Sequence, residues 1–166
     1  AIAAFYAQKH YNIDKVAIID FDVHHGNGTD SLVHENSGIF FASTHQYPLW
    51  PMSGMEENNT NNHINIHLPP DSGSDIFRSA YVNKIFPALE EFAPKLLLIS
   101  AGFDAHHEDP LANIHLTNDD FFWITTEICH IAEKYAQSRV ISCLEGGYNL
   151  KALKDAVSAH ITALCA

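Results

Sequence analysis

The chain has 166 residues, enough for one domain with a real core, and is 46% apolar and 17% charged, as in an ordinary globular protein. No apolar run is long enough for a membrane span, and no basic-then-apolar secretion signal opens the sequence. The net charge of −11 argues against a direct nucleic-acid binder, which carries a basic footprint, and suits a basic substrate or partner.

Ala1-Ile2-Ala3-Ala4-Phe5-Tyr6-Ala7 has no initiator Met and no capping residue and already reads as helix interior, so a helix over 1–11 is predicted in a domain that continues upstream. Lys15 to Asp20 is the first strand, and Gly26-x-Gly28 leads to a short helix near Thr29–His34. A second strand covers Ile39–Ser43. The polar loop 45–62 is long enough to suggest a functional role. His63–Leu68 alternates polar and apolar residues and predicts a half-exposed strand. After the turn at Pro69–Gly73, Ser74 or Asp75 is expected to cap a helix reaching about Phe92, kinked or divided at Pro87.

Lys95–Ser100 is a continuous apolar strand of the kind buried on both faces. A loop to Leu116, a helix from Thr117 to about Gln137, a strand at Arg139–Leu144 and a helix from about Asn149 follow. Strands alternate with helices, so the fold class is α/β, with a mainly parallel sheet flanked by helices and right-handed crossovers. The three cysteines, Cys129, Cys143 and Cys165, form no Cys-x-x-Cys pair and predict reduced, buried thiols in a cytoplasmic protein.

Three strand ends carry chemistry. In Ile18-Ile19-Asp20-Phe21-Asp22-Val23-His24-His25-Gly26-Asn27-Gly28, residues two apart share a face, which puts Asp20, Asp22 and His24 together and turns Phe21, Val23 and His25 away. A carboxylate and an imidazole at this spacing can hold one divalent metal, and zinc accepts both. Asp104 lies just past the buried strand 95–100 and would face the same rim. Alone, Asp-x-His also fits a polar strand end, and Asp104 a solvated loop acid. His106, His107, Glu108 and Asp109 compete as ligands but read as supporting or exposed residues. Gly146-Gly147 allows close backbone approach to a ligand. Tyr148 could donate a hydrogen bond to a developing oxyanion, or simply pack beside a helix start.

Together, Asp20-Phe21-Asp22-Val23-His24-His25-Gly26-Asn27-Gly28-Thr29, Ser100-Ala101-Gly102-Phe103-Asp104-Ala105-His106 with Asp109-Pro110-Leu111, and Glu145-Gly146-Gly147-Tyr148 resemble the zinc-dependent histone deacetylase and acetylpolyamine amidohydrolase superfamily, particularly its class II and bacterial members. The resemblance spans essentially all of 1–166 and implies the C-terminal portion of a single catalytic domain with an arginase/deacetylase-like three-layer fold. It implies zinc ligation by Asp22, His24 and Asp104, polarisation of an acetyl carbonyl by Tyr148, and attack by water to give acetate and a free amine. Asp20 would orient a catalytic histidine. Its backbone, with those of Asp22, His24, Ser43 and Thr44, matches positions that hold a structural potassium ion. Asn27 would partner the second histidine of a catalytic pair. Trp50 and Leu111 fall at tunnel walls that grip an acyl-lysine stem, and the Gly146 backbone would meet the substrate amide. His25 is expected to be structural.

Family members also carry a Pro-x-Gly-His-His segment upstream of Asp20, and its histidines assist the attacking water. These 166 residues contain no such segment, and His106-His107 belongs to a different element. The expectation is a chain that keeps the metal ligands and tyrosine without the base, incomplete at the N-terminal side of the sheet, with apolar surface open to self-association. Pro51-Met52-Ser53-Gly54 replaces the family's Pro-Gly-x-Gly in the rim loop. An arginase-fold ureohydrolase would need a third carboxylate after Asp22-Val23-His24, where His25-Gly26 stands. A catalytically inert fragment or a non-catalytic acyl-lysine-binding module is the other alternative. The substrate, an acetylated lysine peptide or protein or an acetylpolyamine, stays open; Glu56, Glu57 and Glu108 fit either polyamine-selecting rim acids or solvated surface charge.

Overall fold

Five strands, Val16–Asp20 (β1), Ile39–Gln46 (β2), His63–Leu68 (β3), Leu96–Ala101 (β4) and Val140–Leu144 (β5), form one sheet in the computed structural model, which describes residues 1–166. The spatial order is β3-β2-β1-β4-β5, and every neighbouring pair is parallel. The helices are α1 (Ile2–Tyr11), α2 (Asn27–Val33), α3 (Ser74–Ala80), α4 (Phe86–Phe92), α5 (Asn118–Ala136) and α6 (Leu150–Leu164). No helix is long and apolar enough to cross a membrane.

The period-2 alternation of the strands builds three layers. Ala17, Ile19, Phe40, Ala42, Leu97 and Ile99 face a large core shared with α3, α5 and α6. Val16, Ile18, Ile39, Phe41, Leu96 and Leu98 face Ala4 and Ala7 of α1 and Val33 of α2. Each fully buried Leu or Ile contributes roughly 1.5–3 kcal/mol of transfer free energy, so this two-sided burial dominates stability. A capping box, Thr117 with Asp120, starts α5 as the acidic first turn requires.

Three expectations are corrected, and the expected division of the helix over 74–92 is found. β3 is buried rather than half-exposed: only His67 is partly accessible. The loop ahead of it supplies the cover, because Asn59 pairs with both backbone groups of Asn65 and Glu56 accepts from the His67 N–H. This protects the edge of the sheet. The helix over 74–92 is divided as expected near Pro87, with a π-helical turn at Tyr81–Ile85 leading directly into α4, whose first turn holds the proline. Gly73, not Ser74 or Asp75, is the N-cap of α3, and the Ser74 hydroxyl donates instead to Asp120 Oδ2 at 2.7 Å. The cysteines are not buried: Cys143 and Cys165 are exposed and Cys129 is intermediate. Cys143 lies on β5, an edge strand whose Ile141 and Leu144 are also exposed. A groove of about 750 Å³ lined by Ile2, Tyr6, Tyr11, Leu96 and Ile141 runs beside it.

His160 of α6 is 3% exposed and closes the core between α5 and β5. Thr125 Oγ1 donates to the Phe121 carbonyl, so its contact with His160 Nδ1 at 2.6 Å makes Nδ1 the donor. Nε2 then accepts from Ser142 Oγ at 2.8 Å. Burial pushes the imidazole down from 6.5 to about 4, so it folds neutral. As pH falls below 6.5 the unfolded chain takes a proton that the folded chain refuses until about 4. Stability is therefore expected to drop across that window by about 3 kcal/mol from this residue. Denaturant midpoints measured against pH should show His160→Gln flattening the acid limb; parallel limbs would remove His160 as the cause.

Candidate active site and metal centre

Strand order fixes where a ligand sits. The chain winds from β1 outward to β3, then crosses to β4 on the other side of β1, so the topological switch point lies between β1 and β4. Asp22 and His24 follow β1, Asp104 follows β4, and Gly146 follows β5. All four meet there, beside a cavity of about 670 Å³ lined by Asp20, Asp22, His24, Asn27, Trp50, Leu111, Gly146 and Tyr148, among others.

His24 Nδ1 lies 3.0 Å from Asp22 Oδ1 and 3.1 Å from Asp104 Oδ2. The backbone holds the other faces of the carboxylates: Val23 N–H donates to Asp104 Oδ1 at 2.9 Å and Gly146 N–H to Asp22 Oδ2 at 2.8 Å. A Cβ on Gly146 would collide with Asp104 Oδ2, and one on Gly102 with Asp22 Oδ2, so close approach demands glycine at both positions. Burial works against ionisation of Asp22, but hydrogen bonds from His24 and from the backbone N–H groups of His24 and Gly146 hold it below the usual range. Asp104 is pushed up by burial, with the Asp22 charge adding to it against the His24 hydrogen bond. The hydrogen bonds to Asp104 and Asp22 raise His24 to about 10, so these residues already hold one positive charge between two carboxylates. Two carboxylates and an imidazole around one point are a donor set that fits a divalent ion of zinc's character and leaves a position open to the cavity.

Asp20 is 4% exposed, and its Oδ1 accepts from Asp22 N–H at 3.1 Å. Burial, reinforced by the Asp22 charge, pushes its carboxyl well above the usual range, and no cationic side chain pairs with it. Ser43 is its register partner on β2. The Ser43 hydroxyl is engaged with His45 Nδ1 and the Thr44 hydroxyl with Tyr81. Burial thus favours the neutral form of this carboxyl, and a cation beside it would be needed to hold it ionised.

Tyr148 is 53% exposed at the cavity mouth, with Trp50 and Leu111 also open to solvent. Trp50 stands edge-on to His24, ring centres 6.2 Å apart. Gly146 spends its N–H on Asp22 and its carbonyl accepts from Phe103 N–H at 2.8 Å, so only that carbonyl's second lone pair is open to a substrate. Asn27 begins α2 and lines the cavity. His25 has both ring nitrogens occupied, by Ser53 Oγ at 2.8 Å and Asp30 Oδ2 at 2.9 Å, as a structural residue does.

Sequence reasoning gave Asp109 too small a part. It is 8% exposed, and Oδ2 accepts from Tyr148 N–H at 2.7 Å and Asn149 N–H at 3.3 Å, while Oδ1 accepts from Leu111 N–H at 3.0 Å. One carboxylate thus sets the backbone of both Tyr148 and Leu111. The signal available was its place one residue before Pro110 in the loop after Asp104. Asp30 was passed over entirely. It accepts from His25, His63 and Asn65, and although burial opposes ionisation, those donors hold its carboxyl well below the usual range.

Fold and donor set together define an α/β protein with a cluster of two carboxylates and an imidazole, able to hold a divalent cation, at the carboxyl edge of a parallel sheet. The chain belongs to the histone deacetylase domain family, whose profile matches residues 1–164. It is 41% identical over 163 residues to "Histone deacetylase 10, chloroplastic" of Oryza sativa subsp. japonica, covering 95% of this chain and 37% of that protein. It is 35% identical over 155 residues to "Histone deacetylase-like amidohydrolase" of Pseudomonas aeruginosa, covering 90% and 41%. A crystal structure of the HDA15 HD domain superposes with a TM-score of 0.88 at 28% identity, covering 98% of this chain and 48% of that one. The chain therefore spans about half or less of the length of these relatives.

If the glycine after β5 exists to let the carboxylates close, Gly146→Ala should hold one zinc fewer per purified chain than wild type. Gly28→Ala is the control, because nothing lies within 4 Å of a Cβ there. Equal zinc content in both variants would show that the close packing around Gly146 does not shape the centre.

Proposed function

We propose that these residues supply the metal ligands and the carbonyl-polarising tyrosine of a zinc-dependent deacetylase, which hydrolyses an acetyl-lysine peptide or protein, or an acetylpolyamine, to acetate and free amine. The observation that carries this reading is the convergence of Asp22, His24 and Asp104 on one point beside a cavity that Tyr148 also lines.

Asp22, His24 and Asp104 would hold the zinc. Bound there, it supplies Lewis-acid polarisation of the amide carbonyl and lowers the pKa of water. The chain's own residues do the rest. Trp50 and Leu111 grip the apolar stem and exclude water from it. Tyr148 Oη donates a hydrogen bond to the carbonyl oxygen as charge develops, and Asp109 fixes the backbone from which Tyr148 extends. Asp20 and Asn27 would orient histidines supplied by a Pro-x-Gly-His-His segment. The buried, uncompensated Asp20 supports a potassium ion beside the Ser43 and Thr44 backbone. Three unpaired cysteines support a reducing, cytoplasmic setting, and the apolar groove beside β5 supports self-association.

Two measurements test the reading. Asp104→Ala is expected to remove one zinc per chain relative to wild type; an unchanged count would overturn the ligand assignment. Acetate release from an acetyl-lysine peptide and from an acetylpolyamine is then followed for the zinc-loaded chain, alone and extended at its N-terminus by a Pro-x-Gly-His-His segment from a relative. The extension is expected to raise turnover by about 10²–10⁴-fold. In the extended protein, Tyr148→Phe should lower kcat by about 10²–10³-fold with KM little changed. No acetate from the extended protein would sink the function, and an unchanged kcat would remove Tyr148 from the reaction.

A further inference from the structure

A second set of metal-ligating side chains lies behind His25, outside the lining of the cavity. Asp30 and His34 stand one turn apart on α2 and its C-cap, and His63 opens β3. Their potential ligand atoms all lie within 4.8 Å of one another.

The hydrogen bonding sets this cluster apart from the structural histidines. His25 and His160 each have both ring nitrogens satisfied. His63 is 1% exposed, yet its Nδ1 has no partner, and its Nε2 rests on Asp30 Oδ1 at 2.8 Å. His34 Nδ1 approaches that same oxygen, at 3.7 Å. Two imidazoles thus converge on one carboxylate oxygen, while the other, Oδ2, is fixed by His25 Nε2 at 2.9 Å and Asn65 Nδ2 at 3.1 Å. A ligating carboxylate held by outer partners through its second oxygen is the usual support of a metal site.

The spacing also suits an ion. Ligands about 2.0–2.1 Å from a tetrahedral zinc lie about 3.3 Å apart. The present separations from Oδ1, 2.8 and 3.7 Å, bracket that value, and with all the ligand atoms within 4.8 Å of one another, shifts of about an ångström complete the geometry. Two imidazoles favour a transition cation over calcium or magnesium. Space is available for a fourth ligand: a cavity of about 450 Å³ opens on Asp30 and His34 beside Glu35, and one of about 280 Å³ opens on them beside Asn58 and Asn65.

We infer that Asp30, His34 and His63 form a second divalent transition-metal site, separate from Asp22–His24–Asp104, which takes zinc with water or Glu35 as the fourth ligand. The ion clamps α2 to the first residue of β3. Through Asp30 Oδ2 and His25 it also steadies Ser53 at the base of the rim loop.

The test is equilibrium dialysis of the wild-type chain against zinc, with metal and protein counted, beside His34→Ala. His34 is exposed, so the variant is expected to fold as wild type does. Wild type should hold one more zinc than His34→Ala, or hold it at least about tenfold more tightly. Asp104→Ala should keep this ion while losing the other, which separates this site from the proposed catalytic one. In parallel, zinc added to wild type and to Asp104→Ala should shift the imidazole NMR signals of His34 and His63 together. Equal zinc number and affinity in wild type and His34→Ala, or His34 and His63 signals unmoved at saturating zinc, would overturn the site.

Discussion

Two carboxylates, Asp22 and Asp104, are brought against one imidazole at the edge of a parallel sheet, and the cost of holding their charge out of water governs what surrounds them. An uncompensated buried carboxylate is among the most expensive groups a fold can carry. Here the compensation is local: His24 between the two, the Val23 N–H on Asp104, and the Gly146 N–H on Asp22. Val23 and His24 follow β1, Gly146 follows β5 and Asp104 follows β4, so the arrangement exists only when β1, β4 and β5 are in register. The binding geometry and the sheet topology are thus one constraint expressed at two scales.

The parallel sheet meets that constraint through two-sided burial. β1 is buried at every position, and its register with β4 runs from Val16 opposite Leu96 to Asp20 opposite Ser100. A slip of one residue would move Ile19 and Ile99 to the wrong face and carry Asp22 away from Asp104. Apolar packing that involves no metal chemistry therefore fixes the position of the donors to within a hydrogen-bond length.

Much of this was readable from the chain. Continuous apolar runs such as Leu96–Ile99 announced strands covered on both faces, and Asp22, His24 and Asp104 could be placed on one rim because parallel strands end together. What escaped detection depends on partners distant in sequence. β3 alternates as a half-exposed strand does, and nothing local says that Asn59 and Glu56 will cover its polar face. Cys143 lies in an apolar stretch, and only the strand order makes β5 an exposed edge. Asp109 looked like one more loop acid among His106, His107 and Glu108; its importance lies in three backbone donors, two of them about forty residues away. The π-turn before Pro87 is likewise a packing outcome, with Tyr81 fully buried beneath it.

The adjacent residues His24 and His25 show how one strand end can serve two environments. Successive side chains leave the chain on opposite sides, so the imidazole of His24 reaches the carboxylates of the cavity and that of His25 reaches Asp30 and Ser53. The backbone between them is a single rigid step. Any force that fixes His25 from below, through Asp30 Oδ2, also limits how far His24 can swing from Asp22 and Asp104. The Asp30 carboxylate stays ionised under burial because His25, His63 and Asn65 all donate to it, and removing one donor would leave the others with a less stable anion. The rim loop is attached to the same group through Ser53 on His25 and through the carbonyl of Gly54, which accepts from His67 Nε2 at 2.9 Å. The precision of the cavity wall therefore rests on a polar cluster that meets the cavity only through His25, and the strand end at β1 and the rim loop are held in common.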